Sequence, residues 1–332
     1  MDEYSKEIFP LVSVIVPTFN RPEFFEMSIG SALVQTYRNI EVVVSDNSTN
    51  DDTENLMQKY IVKYPNVKYF HHQNFSADDN WNWARHYDNP DAEYVNWLMD
   101  DDLFYPEKIE LMVEVYRNNP DVSLVASNRD FIDEKNNPKF NPKNFFKSTG
   151  KMNSSKAGRQ LFLSDNYIGE PTTVLIRKKF LRNNDLCWFD DEQGFYPLVD
   201  VSTWLQLLTQ GNLFWINKSL SLLRNHLEQQ TFFKGTGLAM VMCWARFLKN
   251  ALDKKLFFRD EKDIREAFAH WFDIIALKLR EAQYYNYSGE EVSIAEDFYI
   301  AMAKAFRNGY DVDLPQIKYS GTDKFKKIIE TR

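Results

Sequence analysis

The sequence predicts an α/β fold: a doubly wound, mainly parallel sheet flanked by helices, followed by an α-helical carboxy-terminal extension. Three observations predict it. Short apolar runs rich in branched residues alternate with helical patterns from Leu11 to Ala126. Three of those runs end in polar clusters, which is where ligands bind in such sheets. After about residue 230 only helical spacing remains.

The elements follow in order. Residues 11–16 are an apolar run stopped by Pro17, with the length and branching of a buried parallel strand. Pro22 suits the first turn of a helix, and Phe25, Ile29, Ala32 and Leu33 follow at helical spacing. Residues 40–44 form a second strand, 46–52 a polar turn, 53–62 a helix and 67–70 a third strand. A helix is expected over 75–87, and a fourth strand over 94–98 leads into Asp100, Asp101 and Asp102. Pro106 opens another helix, and 122–126 is a fifth strand. Residues 128–155, rich in Asn, Lys, Pro and Phe, read as a long connection. A strand is expected over 171–176, a helix over 198–208, and short strands over 213–216 and 220–223. Helices over 240–252, 263–279 and 291–306 complete the chain. The expected organisation is an α/β domain over 1–230, in two parts (1–127 and 128–230), and a helical extension over 231–332.

Composition limits the partners. Of the 332 residues, 40 are Lys or Arg and 48 Asp or Glu, a net charge of −8, so nucleic acid is excluded as a general partner. Cys187 and Cys243 cannot form a disulfide framework and read as inert thiols in a reducing compartment. The polar start, residues 1–6, shows no cleavable signal, and no window has the length of a spanning helix. The expected location is the cytoplasm, with the inner face of a membrane as an option.

The residues with most chemical content are Asp100-Asp101-Asp102 at the end of a buried strand. Adjacent carboxylates repel, and a divalent cation with oxygen ligands relieves that repulsion, a diphosphate completing the coordination. A solvated acidic turn in which Asp102 helps to start the next helix is the alternative. Asp46, after a strand, can accept hydrogen bonds from a base or ribose, or simply close a turn. His71 and His72 read as structural.

Three segments resemble family 2 glycosyltransferases in order and spacing: Val12-Ser-Val-Ile-Val-Pro-Thr-Phe-Asn-Arg-Pro22, Glu41-Val-Val-Val-Ser-Asp46-Asn-Ser-Thr-Asn-Asp51 and Met99-Asp-Asp-Asp102. The resemblance extends to about Thr231, and it implies that 1–230 is a catalytic domain with a nucleotide-sugar-binding half (1–127) and an acceptor-side half (128–230). Gly169-Glu-Pro-Thr-Thr-Val resembles the family's acceptor-side segment, Val199-Asp200 its acidic-pair helix, and Arg224-Asn-His226 its closing Arg-x-His. It implies a GT-A, Rossmann-like fold and an inverting transfer from a nucleoside-diphosphate sugar, a UDP-sugar above all, with Mg²⁺ or Mn²⁺. It also implies a glycan or lipid-linked acceptor, in bacterial surface polysaccharide or lipopolysaccharide synthesis.

The resemblance also implies roles. Thr18, Asn20 and Arg21 line the nucleotide, Asp46 meets the base or ribose, and Asp100 the ribose. Asp101 is the main metal ligand, supported by Asp102. Asp200 is the general base, the alternative for this residue being an N-cap of the helix over 201–208. Arg224 and His226 lie by the diphosphate, with His226 able to touch the metal, and Arg85 is a further phosphate contact. Met99, Val199 and Gln206 depart from the family's usual residues, which bears on donor contacts more than on fold.

Two rival functions are weaker. A sugar-phosphate nucleotidyltransferase needs a glycine-rich loop after the first strand, and none is present. A non-catalytic sugar-nucleotide-binding protein has no need to keep Asp101, Asp200 and His226 together. In the extension, Trp244, Phe247, Leu248 and Ala251, then Phe268, Trp271, Phe272, Ile275 and Leu279, recur at helical spacing. They are expected to pack on the catalytic domain or a second subunit, with peripheral membrane contact as the alternative.

Overall fold

A computed structural model describes residues 9–140, 146–164, 166–181, 198–226, 236–284 and 290–310. Cys187 and the carboxylates Asp190, Asp191 and Glu192 lie outside the described residues.

The first half alternates as expected. β1 (Leu11–Thr18), α1 (Pro22–Leu33), β2 (Ile40–Asp46), α2 (Asp52–Lys63), β3 (Val67–His71), α3 (Ala77–His86) and β4 (Ala92–Trp97) follow one another. β5 (Leu103–Phe104), α4 (Lys108–Asn118) and β6 (Val122–Ile132) come next. α3 begins with a reciprocal cap in which Ser76 and Asp79 bond each other's backbone amides. Every residue of β2 is buried, as a strand covered on both faces requires.

With β9 at Val174–Arg177 and β10 at Asn212–Arg224, the strand order within the sheet is β3-β2-β1-β4-β9-β6-β10-β5. β1 pairs in parallel with β2 and β4, and β2 with β3. Beyond β4 the sheet is mixed: β9 (Val174–Arg177) runs antiparallel to both β4 and β6, whereas β10 (Asn212–Arg224) runs parallel to β6. Pairing sense is not encoded in hydrophobic periodicity, so the reversal at β9 was not legible. A helical turn over Pro171–Thr173 precedes β9, in place of a strand beginning at Pro171.

The 128–155 segment holds more structure than its composition suggests. β6 runs on to Ile132, pairs with β7 (Pro138–Lys139), and is followed by β8 (Gly150–Met152) and α5 (Ser154–Ser164). The two short strands expected around 213–223 are one strand, β10, whose register against β6 shifts between Ile216 and Ser219 and again by Ser221. Asn217 and Lys218 sit at that irregularity, which is why they look like a break in the sequence.

The core of the sheet gathers Val12, Val14 and Val16 with Val42, Val44, Phe25, Ile29, Met112 and Leu175. By contacts the chain divides into two units. One comprises 1–152, 168–183 and 211–226, and holds the sheet; the other comprises 153–167, 184–210 and 227–332. Two segments inside the expected catalytic domain, carrying α5 and α6 (Val199–Leu208), thus cluster with the helices α7 (Thr236–Asp253), α8 (Glu261–Tyr284) and α9 (Glu290–Arg307). Within this second unit Trp244 and Trp271 stack with centroids 4.5 Å apart, as do Phe272 and Tyr299. Leu277, Tyr284, Ile300 and Phe306 are exposed. No described helix is long and apolar enough to cross a membrane.

Candidate active site

The carboxyl ends of β1, β2 and β4 bring the three polar clusters together. Thr18 pairs in register with Asp46. Its hydroxyl donates to Asp100 Oδ2 at 2.9 Å, and the Phe19 amide reaches the same oxygen at 3.4 Å. Asn20 takes a left-handed backbone (φ 52°), which asparagine tolerates. Its amide donates to Ser48 Oγ at 2.8 Å, and its side-chain oxygen accepts from the Thr49 amide at 2.9 Å. Asn20 therefore ties the β1 loop to the β2 loop.

Asp46 is buried at the end of β2. Oδ1 accepts from the Ser48 amide and Oδ2 from the Tyr69 hydroxyl, each at 2.7 Å. Asn80 of α3, which sequence reasoning missed, joins these loops: it accepts from Ser45 Oγ and donates to Ser45 O and Asn47 Oδ1. Arg85, near the end of the same helix, is also buried.

The three aspartates have three environments. Asp100 is sandwiched between Thr18 and Arg21, whose Nη1 lies 3.7 Å from Asp100 Oδ1 and 3.6 Å from Asp101 Oδ2. Burial and the adjacent Asp101 charge push the Asp100 carboxyl up to about 7. Asp101 Oδ2 meets His226 Nε2 at 2.8 Å. Both Asp102 oxygens face protein donors: the Arg224 amide at 3.0 Å and Thr172 Oγ1 at 2.6 Å. Burial first, then Asp101, raises the Asp102 carboxyl well above its usual range.

Arg224 is fully buried and held at several points. Nε donates to Asp101 O and Nη1 to Asp133 O, both at 2.9 Å, and the guanidinium lies 4.6 Å over the Phe24 ring. That ring also neighbours His226, centroids 5.7 Å apart. Thr172 fell within the Gly-Glu-Pro-Thr-Thr segment singled out in the sequence, but neither its bond to Asp102 nor Phe24's place had a spacing signal.

Among the described residues no group of three or more His, Cys, Asp or Glu side chains forms a metal cage. The donor set nonetheless fits Mg²⁺ or Mn²⁺ held partly by a diphosphate. Asp101 and His226 offer one oxygen and one nitrogen at a common point, beside a carboxylate, Asp100, that burial and charge repulsion leave short of positive charge.

Asp200 belongs to the second unit. It sits in the first turn of α6, whose cap residue is Leu198, so it is not itself the helix cap. Its Oδ2 accepts from Asn166 Nδ2 at 2.8 Å.

Known proteins resemble this chain in sequence and in fold. An uncharacterized glycosyltransferase of Rickettsia typhi is 28% identical over 253 residues, 74% of each chain. The GalNAc(5)-diNAcBac-PP-undecaprenol beta-1,3-glucosyltransferase of Campylobacter jejuni is 27% identical over 279 residues, 83% of this chain and 85% of that one. Among solved structures, residues 1–349 of S. aureus TarS, alone and with UDP-GlcNAc, match 90% of this chain and 89% of theirs at a TM-score of 0.60. Identity there is 16% and 15%, so the likeness concerns the GT-A fold. The profile described as glycosyl transferase family 2 matches residues 13–184, more than half of the chain, and the protein is a glycosyltransferase that belongs to this family.

Proposed function

We propose that the enzyme moves a sugar from a nucleoside-diphosphate sugar, a UDP-sugar, to a hydroxyl of a lipid-linked glycan, inverting the anomeric centre. The observation that carries this reading is the convergence of Thr18, Arg21, Asp100, Asp101, Arg224 and His226 at the carboxyl ends of β1, β4 and β10. The acceptor class is supported by the Campylobacter jejuni relative, whose name specifies an undecaprenol-linked glycan.

In this reading Asp46 and Asp100 receive the base and ribose, and Thr18 and Asn20 form the wall beside them. Arg21, Arg85 and Arg224 face the diphosphate. Asp101 and His226 would hold Mg²⁺ or Mn²⁺, and Asp102 keeps Arg224 and Thr172 in place around them. A bound cation would neutralise charge growing on the leaving diphosphate. Arg224 adds fixed positive charge there, already oriented by Asp101 O, Asp133 O and Phe24, so little reorganisation is needed during the reaction. Asp200 takes the proton of the attacking hydroxyl. Attack opposite the leaving group inverts the centre. The enzyme acts in the cytoplasm at the inner face of the membrane, where a lipid-linked acceptor is within reach.

A thermal-shift comparison of UDP, GDP, CDP and dTDP, each with Mn²⁺, tests the donor. A ligand that binds only the folded state stabilises it by mass action. The expected result is a rise with UDP that needs the cation; no rise with any of the four would overturn the reading.

A further inference from the structure

The carboxy-terminal helices have no part in the reading above, yet a line of bonds within the second unit runs from them to Asp200. Trp271 of α8 donates from Nε1 to Phe162 O of α5 at 2.8 Å. Arg159 of α5 pairs with Asp263 of α8, which Arg259 Nε also holds at 3.1 Å. The Phe162 ring packs against Trp244 of α7 (5.8 Å between centroids) and against Phe258 (5.4 Å). Phe257 lies where a Cβ on Gly158 would fall, so α5 presents its one backbone-bare position to the segment between α7 and α8. Two residues beyond α5, Asn166 donates to Asp200 Oδ2. The next residue, Tyr167, is fully buried and anchored by its hydroxyl to Ala157 O at 3.0 Å, so the backbone carrying Asn166 is fastened back onto α5.

We propose that Asn166 is a positioning residue for Asp200, and that α7 and α8 are the scaffold which, through α5, holds Asn166 in place. The chemistry suits the task. A hydrogen bond to one carboxylate oxygen fixes the rotation of the group. A neutral amide does this without an ion pair, which would lower basicity more. Misplacement of a reacting group by about 1 Å is costly to an oriented reaction. This gives the extension a role in catalysis without contact with substrate. It rests on the reading of Asp200 as the base.

The test reads the Asp200 carboxyl directly, so it does not depend on knowing the acceptor. The full chain is labelled at the aspartate carboxyl carbon with ¹³C and titrated by NMR. The Asp200 resonance is assigned as the signal missing from Asp200→Asn. In Asn166→Ala the resonance should move and its titration midpoint rise by about one pH unit, since a donor to the charged form is gone. Asn166→Asp keeps the shape and puts a like charge beside Asp200, so the midpoint should rise further; it serves if the alanine variant fails to fold. Trp271→Phe keeps an aromatic ring, though a smaller one, and loses the bond to Phe162, and should move the same resonance the same way by less. An Asp200 signal unchanged in position and midpoint in both Asn166 variants overturns the positioning role. A signal that responds to Asn166 but not to Trp271→Phe overturns the scaffold role. Near-normal turnover of Asp200→Asn would instead overturn the base assignment, whatever the titration shows.

Discussion

His226 Nε2 lies 2.8 Å from Asp101 Oδ2 across 125 residues of chain. One residue stands at the end of β4 and the other just after β10, strands separated in the sheet by β9 and β6. In the proposed reading this carboxylate and imidazole, beside a second buried carboxylate, would be a two-donor seat for a divalent cation whose other ligands come with the substrate.

Asp101→Ala should therefore remove the cation-dependent part of UDP binding and leave the fold intact. His226→Ala should weaken it less, by roughly tenfold or more, because one donor remains. Calorimetric titration of UDP with and without Mn²⁺ measures both. Removing Asp101 also relieves repulsion on Asp100 and Asp102, so the variant without ligand should melt no lower than the parent. Unchanged cation dependence in Asp101→Ala would remove Asp101 from the metal site.

Asp100 makes stability fall with rising pH. Its carboxyl is raised from the ordinary 3.8 to about 7 in the folded protein by burial and by Asp101. Between those values the folded state holds a proton that the unfolded state has lost, so stability declines as pH rises through that window. Asp100→Asn keeps an acceptor for Thr18 and cannot ionise. The melting temperature of the variant relative to wild type should rise steadily from pH 4 to 7 and then level off. Mn²⁺ with UDP should shrink the difference, since a cation beside Asp100 favours its charged form. A flat difference across that range would contradict the burial of Asp100 as a charge-poor site.

Lys108 is fully buried in α4, its Nζ 3.5 Å from Met112 Sδ and 5.3 Å from the Phe104 ring centre. No carboxylate among the described residues pairs with it. Burial holds its ammonium well below the usual lysine range. Lys108→Met fills similar volume without the amine and should stabilise the protein by roughly 1–3 kcal/mol, readable as a higher urea midpoint at constant slope. A depressed lysine loses stability as pH falls from its unfolded value near 10.5, so the gain should shrink as pH rises toward that value.

Thr18, Asp46 and Asp100 were legible because each closes a buried strand, and strand ends in a parallel array share one edge. The same local logic failed for residues whose value lies in a partner far along the chain. Thr172 matters through Asp102, 70 residues away, and Asn80 through Ser45 and Asn47. No periodicity records such pairs. α5 was hidden for another reason. Its helical spacing, with Ala157, Leu161 and Phe162 buried, begins directly after a polar stretch that reads as loop. β10 looked like two strands because a bulge absorbs Asn217 and Lys218 without ending the ladder.

Asp200→Asn separates chemistry from structure at the proposed base. The carboxylate lies in the first turn of α6 with Leu198 at the cap, so the substitution disturbs no side-chain cap. It removes a negative charge from a helix amino terminus, a loss of about 0.3–1 kcal/mol. Asn can present its carbonyl oxygen to Asn166 Nδ2 and preserve that bond, so stability should change little. It cannot accept a proton at neutral pH. Binding of UDP with Mn²⁺ should therefore survive, because that ligand contains no attacking hydroxyl. UDP release in the presence of donor and acceptor should fall by roughly 10²-fold or more, the usual contribution of a general base. Wild-type turnover should also drop on the acid side as Asp200 becomes protonated, and the residual activity of the variant should lack that limb. Retention of wild-type turnover by a folded, UDP-binding variant would show that the proton leaves by another route, and the carboxylates Asp190, Asp191 and Glu192 would be the next to replace.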